Sequence, residues 1–247
     1  TLNPSSAASD VYKRQRISDA FNSAEGISEE GTKQDSLEFG LMKARLEVYY
    51  ENIPANSLRL FESKVDDSPS DANIYGLALA HKKNNNFDKS INLLDKLIQK
   101  YPKNLVINTT KVDILLSYDK FNEALNLVNQ FLEISPKNYP LSISKSKVLL
   151  AMERYFESEE IIRDQLLRKN DDPELWLLLS EIQRNSQNII GYHQSRAEYF
   201  LLLGQDDKAL NQLEFALQLT QNNFQVSESL MNKIVEIKKN LSSARGL

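Results

Sequence analysis

No cysteine occurs among the 247 residues. Disulfides and thiol catalysis are therefore excluded, while the compartment stays open, because reducing and oxidising locations both hold Cys-free proteins. Glycine and proline are scarce, at seven each, and strand-like alternation is rare. A turn-rich all-β fold needs both, so the composition leans to all-helical. No apolar run approaches the roughly 20 residues of a bilayer-crossing helix. Positive charge is not in excess: 30 Lys and Arg stand against 34 Asp and Glu, a net charge of -4. Such a chain has nothing with which to blanket a phosphate backbone, which argues against nucleic acid.

What the chain does have is a phrase used twice. FDKSINLLDKLIQKYPKN occupies 87–104 and FNEALNLVNQFLEISPKN occupies 121–138, an offset of 34. The same step reaches Tyr155 and then Ile189. A fixed period of this size predicts a helical solenoid, in which paired helices cannot bury their apolar faces alone and stacking completes the core. Phe87, Ile91, Leu94, Leu97 and Ile98 fall on one helical face, as do Phe121, Ala124, Leu125, Val128, Phe131 and Leu132. Pro102 and Pro136 end these helices, and Asn104 and Asn138 are placed to cap the next ones.

The pattern predicts helices over 15–25, 36–51, 54–66, 71–84, 87–100, 104–117, 121–134, 138–152, 155–169, 173–186, 189–203, 206–220 and 223–241. Helix 189–203 fits either as the second half of one repeat or as the first half of the next, together with 206–220. Residues 1–15 (TLNPSSAASDVYKRQ) are polar, aperiodic and without a Met start. They read as a non-native or disordered leader, which places the natural N-terminus upstream. Residues 16–68 are expected to form helices packing on the array, 69–222 the repeats, and 223–247 a capping helix and tail. Gly26 to Asp35 reads as a loop.

The search for chemistry returns little. His81 and His193 each lack a second ligand at useful spacing and read as helix histidines. The pairs Glu159–Glu160, Asp171–Asp172 and Asp206–Asp207 lie at helix starts or on exposed faces, where acidic residues serve the helix dipole. No G-x-S-x-G, P-loop or dinucleotide glycine pattern is present. Gly204 is expected to end helix 189–203, and Trp176 to be core. No catalytic residue, metal ligand or cofactor is assigned, and the function is expected to be binding.

The repeat resembles that of the tetratricopeptide family, which carries a small residue near its position 20, an aromatic near 17 and proline at 32. Repeats then begin at Asp71, Leu105, Tyr139 and Pro173, with Ser90, Ala124 and Ser158 at position 20 and Tyr192 a misfit there. Lys111 and Lys145 stand where leucine is usual, and Trp176 alone has the tryptophan of position 4. The resemblance implies an all-α, right-handed α-solenoid of tetratricopeptide-like helix pairs. It further implies a concave wall for protein or peptide made by Tyr75, Leu79, Lys82, Lys83, Thr109, Asp113, Ile143, Lys147, Leu177, Glu181 and Arg184. Mixed charge with apolar spots suits an extended or partly folded polypeptide. The Lys/Asn carboxylate clamp of some family members is not evident, since Ala72 and Gly76 occupy two of its positions.

The phrases RISDA (16–20), KARLEVYY (43–50), YGLALA (75–80) and GYHQSRAEYFLLLGQDDKALNQLEFALQL (191–219) are similar to the C-terminal half of periplasmic zinc metallopeptidases of the beta-barrel assembly-enhancing protease group. That resemblance implies a periplasmic quality-control protein that touches the outer-membrane assembly machinery or unfolded clients. The H-E-x-x-H motif of that group is absent from these residues, so zinc is expected only in a protease domain outside this chain. The alternative is a free-standing tetratricopeptide adaptor.

Overall fold

The computed structural model describes residues 36–220 and 223–245, and every regular element among them is an α-helix. The helices are α1 (Leu37–Tyr50), α2 (Pro54–Asp67), α3 (Asp71–Lys83), α4 (Phe87–Lys100), α5 (Leu105–Ser117) and α6 (Phe121–Ile134). They continue as α7 (Tyr139–Ala151), α8 (Tyr155–Leu166), α9 (Pro173–Asn185), α10 (Ile189–Leu202), α11 (Asp206–Leu219) and α12 (Phe224–Arg245). The chain is an all-α solenoid. The expected leader, the helix over 15–25 and the loop from Gly26 to Asp35 lie outside the described residues.

The period of 34 is written into the helix ends. First helices of successive pairs (α1, α3, α5, α7, α9) follow Ser36, Ser70, Asn104, Asn138 and Asp172, each 34 residues after the last. Each of these side chains accepts a hydrogen bond from a backbone N–H of the first turn: Phe39, Asn73, Ile107, Leu141 and Glu174 respectively. That satisfies one of the donors a helix start leaves open. Second helices (α2, α4, α6, α8) have no such side-chain cap. Four first helices instead end in one repeated turn. Asn85, Asp119, Glu153 and Gln187, again 34 apart, take left-handed φ of 57–61°. The next residue's N–H reaches back five positions, Asn86 to His81, Lys120 to Leu115, Arg154 to Leu149 and Asn188 to Gln183, at 2.8–2.9 Å. This arrangement closes a helix C-terminus and reverses the chain in three residues. The period also runs backward: α1 starts 34 residues before α3 and α2 starts 33 before α4, so the described residues hold a further pair ahead of Asp71.

At α10 the phase changes. Asn188 accepts from Gly191 N, so α10 starts like a first helix. Its end repeats the first-helix turn, with Gly204 at φ 66° and Gln205 N bonded to Phe200 O at 2.9 Å. Helix α11 has no side-chain cap, as second helices do not, and Asn223 caps α12 through Val226 N. Helix α10 is thus second partner to α9 and first partner to α11.

Close packing within pairs explains the small residues. Ala78 and Ser90, Val112 and Ala124, and Ser146 and Ser158 lie 12 apart in sequence, on first and second helices, and all have 0% exposure. Ser90 Oγ donates to Ala78 O at 2.7 Å, and Ser158 Oγ to Ser146 O at 2.8 Å, so the two backbones nearly touch. The same spacing recurs in Ala197 and Ala209, both fully buried, which confirms α10 and α11 as a pair. Tyr192, one period after Ser158, is half-buried; the adjacent Gly191 is buried, and a Cβ there would lie 2.8 Å from the Gln183 side-chain nitrogen of α9.

Trp176 packs half-buried against the core cluster of α8 and α9; its Nε1 donates to Asn170 O at 2.8 Å, and with exposed Phe156 and Leu167 it borders an open depression between these helices. Where the family tryptophan would stand, α7 has Ser142, and a second open depression is lined there by Ser142, Leu132, Pro136 and Lys145.

Candidate protein-binding face

The wall residues expected from the sequence lie on the first helices α3, α5, α7 and α9. The structure divides them. Tyr75 is fully buried, so it is a core residue and not wall: its hydroxyl accepts from Arg45 Nε at 3.0 Å and Nη2 at 2.8 Å and lies 2.8 Å from Thr110 Oγ1. Lys83 is committed to another task, since its Nζ donates to the carbonyls of Val48 and Glu51 at the end of α1. A cation against the last carbonyls of a helix is favourably placed. Leu79 and Ile143 are half-buried and pack on the core clusters, and Thr109 returns its hydroxyl to Leu105 O at 2.7 Å. Leu177 is half-buried, and Asp113, Lys147, Glu181 and Arg184 are exposed with Lys82 half-buried, so these six remain available to a partner.

One residue was missed. Arg45 lies 34 before Leu79 and so falls in the row Arg45, Leu79, Asp113, Lys147, Glu181. Starting the repeats at Asp71 hid it; stepping the period back to Leu37 would have found it. Its guanidinium joins three first helices, through Tyr75 of α3 and Thr110 of α5, the latter at 2.5 Å.

Asp113 is exposed on this face, and desolvation raises its carboxyl above the usual value of 3.8, opposed by the cations Lys147, Arg45 and Lys82.

Neither histidine forms a metal centre with its neighbours, and among the described residues no group of three His, Asp or Glu converges to hold an ion. His193 Nδ1 pairs with Gln212 Oε1 at 2.8 Å. His81 is buried, with Nδ1 lacking a hydrogen-bond partner among the described residues. Burial lowers its pKa below 6.5; Lys89 adds to this and Glu62 opposes it. A depressed folded-state pKa means that the unfolded chain takes up the proton first. Stability from this group is complete above pH 6.5 and drains as pH falls through the folded-state value. Thermal melts should therefore show a loss of midpoint between about pH 7 and 5 that His81→Gln flattens; an unchanged slope in the variant would refute this assignment.

Among the described residues no helix is long and apolar enough to cross a membrane. Residues 115–182, from the end of α5 into α9, match the family model described as Tetratricopeptide repeat. No curated protein matches the chain. Similar solved structures include a tetratricopeptide repeat protein from Parabacteroides merdae ATCC 43184, at 13% identity, covering 80% of this chain and 82% of that one with a TM-score of 0.49. MamA from residue 41 onward of Desulfovibrio magneticus RS-1 is 11% identical, covering 68% of this chain and 94% of that one with a TM-score of 0.48. A thermophilic tetratricopeptide repeat protein in Thermus thermophilus is 17% identical, covering 81% of this chain and 100% of that one with a TM-score of 0.46.

Proposed function

We propose that this tetratricopeptide-type array is a non-catalytic protein-binding scaffold that holds an extended or partly folded polypeptide along its first-helix face. One observation carries the reading: on that face Asp113, Lys147, Glu181 and Arg184 are exposed and chemically varied, while buried residues of the same helices pack into the core. Asp113, Lys147 and Glu181 repeat at intervals of 34, so one polypeptide crossing the row meets a different charge at each repeat. Nothing in the described residues offers a converging nucleophile, base and oxyanion site.

The test uses exposed positions only. The triple variant Lys147→Glu, Glu181→Lys, Arg184→Glu should keep its melting midpoint, because surface charges away from packing move stability by less than about 0.5 kcal/mol. It should lose the partners that the unaltered chain retains in pull-downs from its source cells. Equal recovery would remove the first-helix face from the function.

The finer reading, the repeat region of a periplasmic zinc metallopeptidase that acts in outer-membrane protein assembly, is supported by the phrases at 16–20, 43–50, 75–80 and 191–219 alone. On this reading the protein is periplasmic and its partners are assembly machinery or unfolded clients, with zinc in the protease domain. Sequencing the frame upstream of Arg16 separates it from the free-standing adaptor: an H-E-x-x-H motif supports the former, and a start codon near Arg16 the latter.

A further inference from the structure

Helix α12 begins like a first helix, with Asn223 as its cap, and no second helix follows it among the described residues. Leu230, Ile234 and Ile237 are buried in the cluster that α12 shares with α10 and α11. Lys233 pairs with Glu198 of α10, and Lys238 with Glu214 of α11 at 3.0 Å, so the rotation of α12 about its own axis is fixed from both neighbours. That rotation turns a second apolar stripe outward: Phe224 is 78% exposed, Met231 44% and Val235 64%. Met231 stands eight residues after its cap, as Ala78, Val112 and Ser146 do after theirs. Those three are fully buried against the small residues Ser90, Ala124 and Ser158 of their own second helices. The face that packs on a helix in those pairs is therefore open in α12. It carries a long, flexible side chain in place of a small one, which suits a looser helix contact than those within pairs.

Phe224, Glu228, Met231, Val235, Lys238 and Ser242 follow one another at alternating steps of four and three, the spacing of a coiled-coil seam, and all six are exposed. Run antiparallel against a second copy of itself, this seam is self-complementary about position 233. Phe224 falls level with Ser242 of the other copy, Glu228 with Lys238, and Met231 with Val235. Parallel pairing instead sets Glu228 on Glu228 and Lys238 on Lys238, and like charges across a seam repel. Among the described residues Glu228 has no ion pair within the chain, and the Lys238–Glu214 pair is exposed on both sides, so both charges are accessible to a partner. We infer that this stripe is a homodimer interface, in which α12 of one copy lies antiparallel along α12 of a second and the Glu228–Lys238 layer sets direction and register. A second copy is the occupant because the stripe complements its own sequence in charge and in apolar contact at the same register. The inference goes beyond the scaffold reading and does not depend on it; a dimer carries two first-helix faces and gains avidity for a partner that reaches both.

Sedimentation equilibrium on the full chain tests this. A monomer–dimer equilibrium is expected at about micromolar concentrations, the weak end of the range, because the seam is only about 27 Å long at about 1.5 Å per residue. Glu228→Lys should weaken the dimer about tenfold or more, and Lys238→Glu should do the same. The double variant Glu228→Lys, Lys238→Glu should recover the dimer, because opposite charges again stand level in the antiparallel pair. A parallel pair gives no such recovery, since it sets like charges level in the double variant as well. Val235→Asp, at an exposed side chain, should dissociate the dimer and leave the melting midpoint of the dilute monomer unchanged. Lys238→Glu also removes the exposed pair with Glu214; should that unsettle α12, Glu228→Lys and Val235→Asp alone decide whether the stripe is the interface. A chain that stays monomeric at about 100 μM, far above the expected dissociation constant, would overturn the inference. So would a dimer indifferent to Glu228→Lys and Val235→Asp, or a folded double variant that stays monomeric.

Discussion

Gly76→Ala is expected to destabilise the N-terminal half of the array, although alanine is the better helix former. A Cβ at position 76 would lie 2.0, 2.4 and 2.6 Å from three ring carbons of Phe61. Phe61 is fully buried between α2 and α3 and is an aromatic ring, not the free end of a flexible chain, so it cannot step aside cheaply. Overpacking of this kind costs about 1–3 kcal/mol, and the depth of the overlap places this case at the upper end. Helix propensity returns up to about 1 kcal/mol. Phe61→Ala alone should cost about 3–5 kcal/mol through lost burial and a cavity. The sharper expectation concerns the pair. In the Phe61→Ala background the ring is gone, so Gly76→Ala should be neutral or stabilising. Urea denaturation of the four proteins gives the coupling, and a Gly76→Ala penalty that survives removal of Phe61 would show that the steric account is wrong.

The same glycine marks what is particular to the first described repeats. Position 76 becomes Thr110, Ser144 and Leu178 in the following three. The side chain that fills this slot decides how closely the neighbouring helix approaches, and at Gly76 the ring of Phe61 enters it. Variation at a single packing position within a strict period thus changes the fit between neighbours without altering the repeat length.

The helices were legible from residues because one interval governs three independent features. Asn104 and Asn138 announced the caps, Pro102 and Pro136 the stops, and Phe87 and Phe121 the apolar faces. All three agreed on 34 residues, and the helices start where that interval placed them, at Asp71, Leu105, Tyr139 and Pro173. The first repeat was less visible. Its cap is Ser36 in place of Asn, and Ile53 and Pro54 introduce its second helix without an aromatic, so the family pattern began a repeat late. The change of phase at α10 was visible only as an ambiguity. Sequence places Ala209 at the small position, but only the left-handed turn at Gly204 and the cap at Asn188 show that α10 serves both neighbours. Side-chain accessibility was the least legible. A repeat position says which helix face a residue occupies, and it does not say whether a neighbouring repeat sends a side chain over it. Arg45, from the preceding repeat, does this to Tyr75, and Trp176 packs at the rim of the core, where Asn170 O accepts from its indole N–H.

Tyr75 separates these two kinds of residue by experiment. Tyr75→Phe keeps the ring and removes the hydroxyl that accepts two bonds from Arg45 and meets Thr110. Burial raises the tyrosine's pKa, with Arg45 and Thr110 pulling the other way, so the native group is neutral and donates or accepts without charge. Removing it leaves guanidinium donors of Arg45 facing carbon, and an unsatisfied buried donor costs about 1–3 kcal/mol. Tyr75→Ala also deletes a fully buried ring, for about 3–5 kcal/mol. Both variants should shift the denaturation midpoint with an unchanged slope, which marks a loss of stability in one cooperative unit. A wall tyrosine behaves in the opposite way: its loss weakens partner binding and leaves the midpoint alone. A midpoint unmoved by Tyr75→Ala would return Tyr75 to the wall.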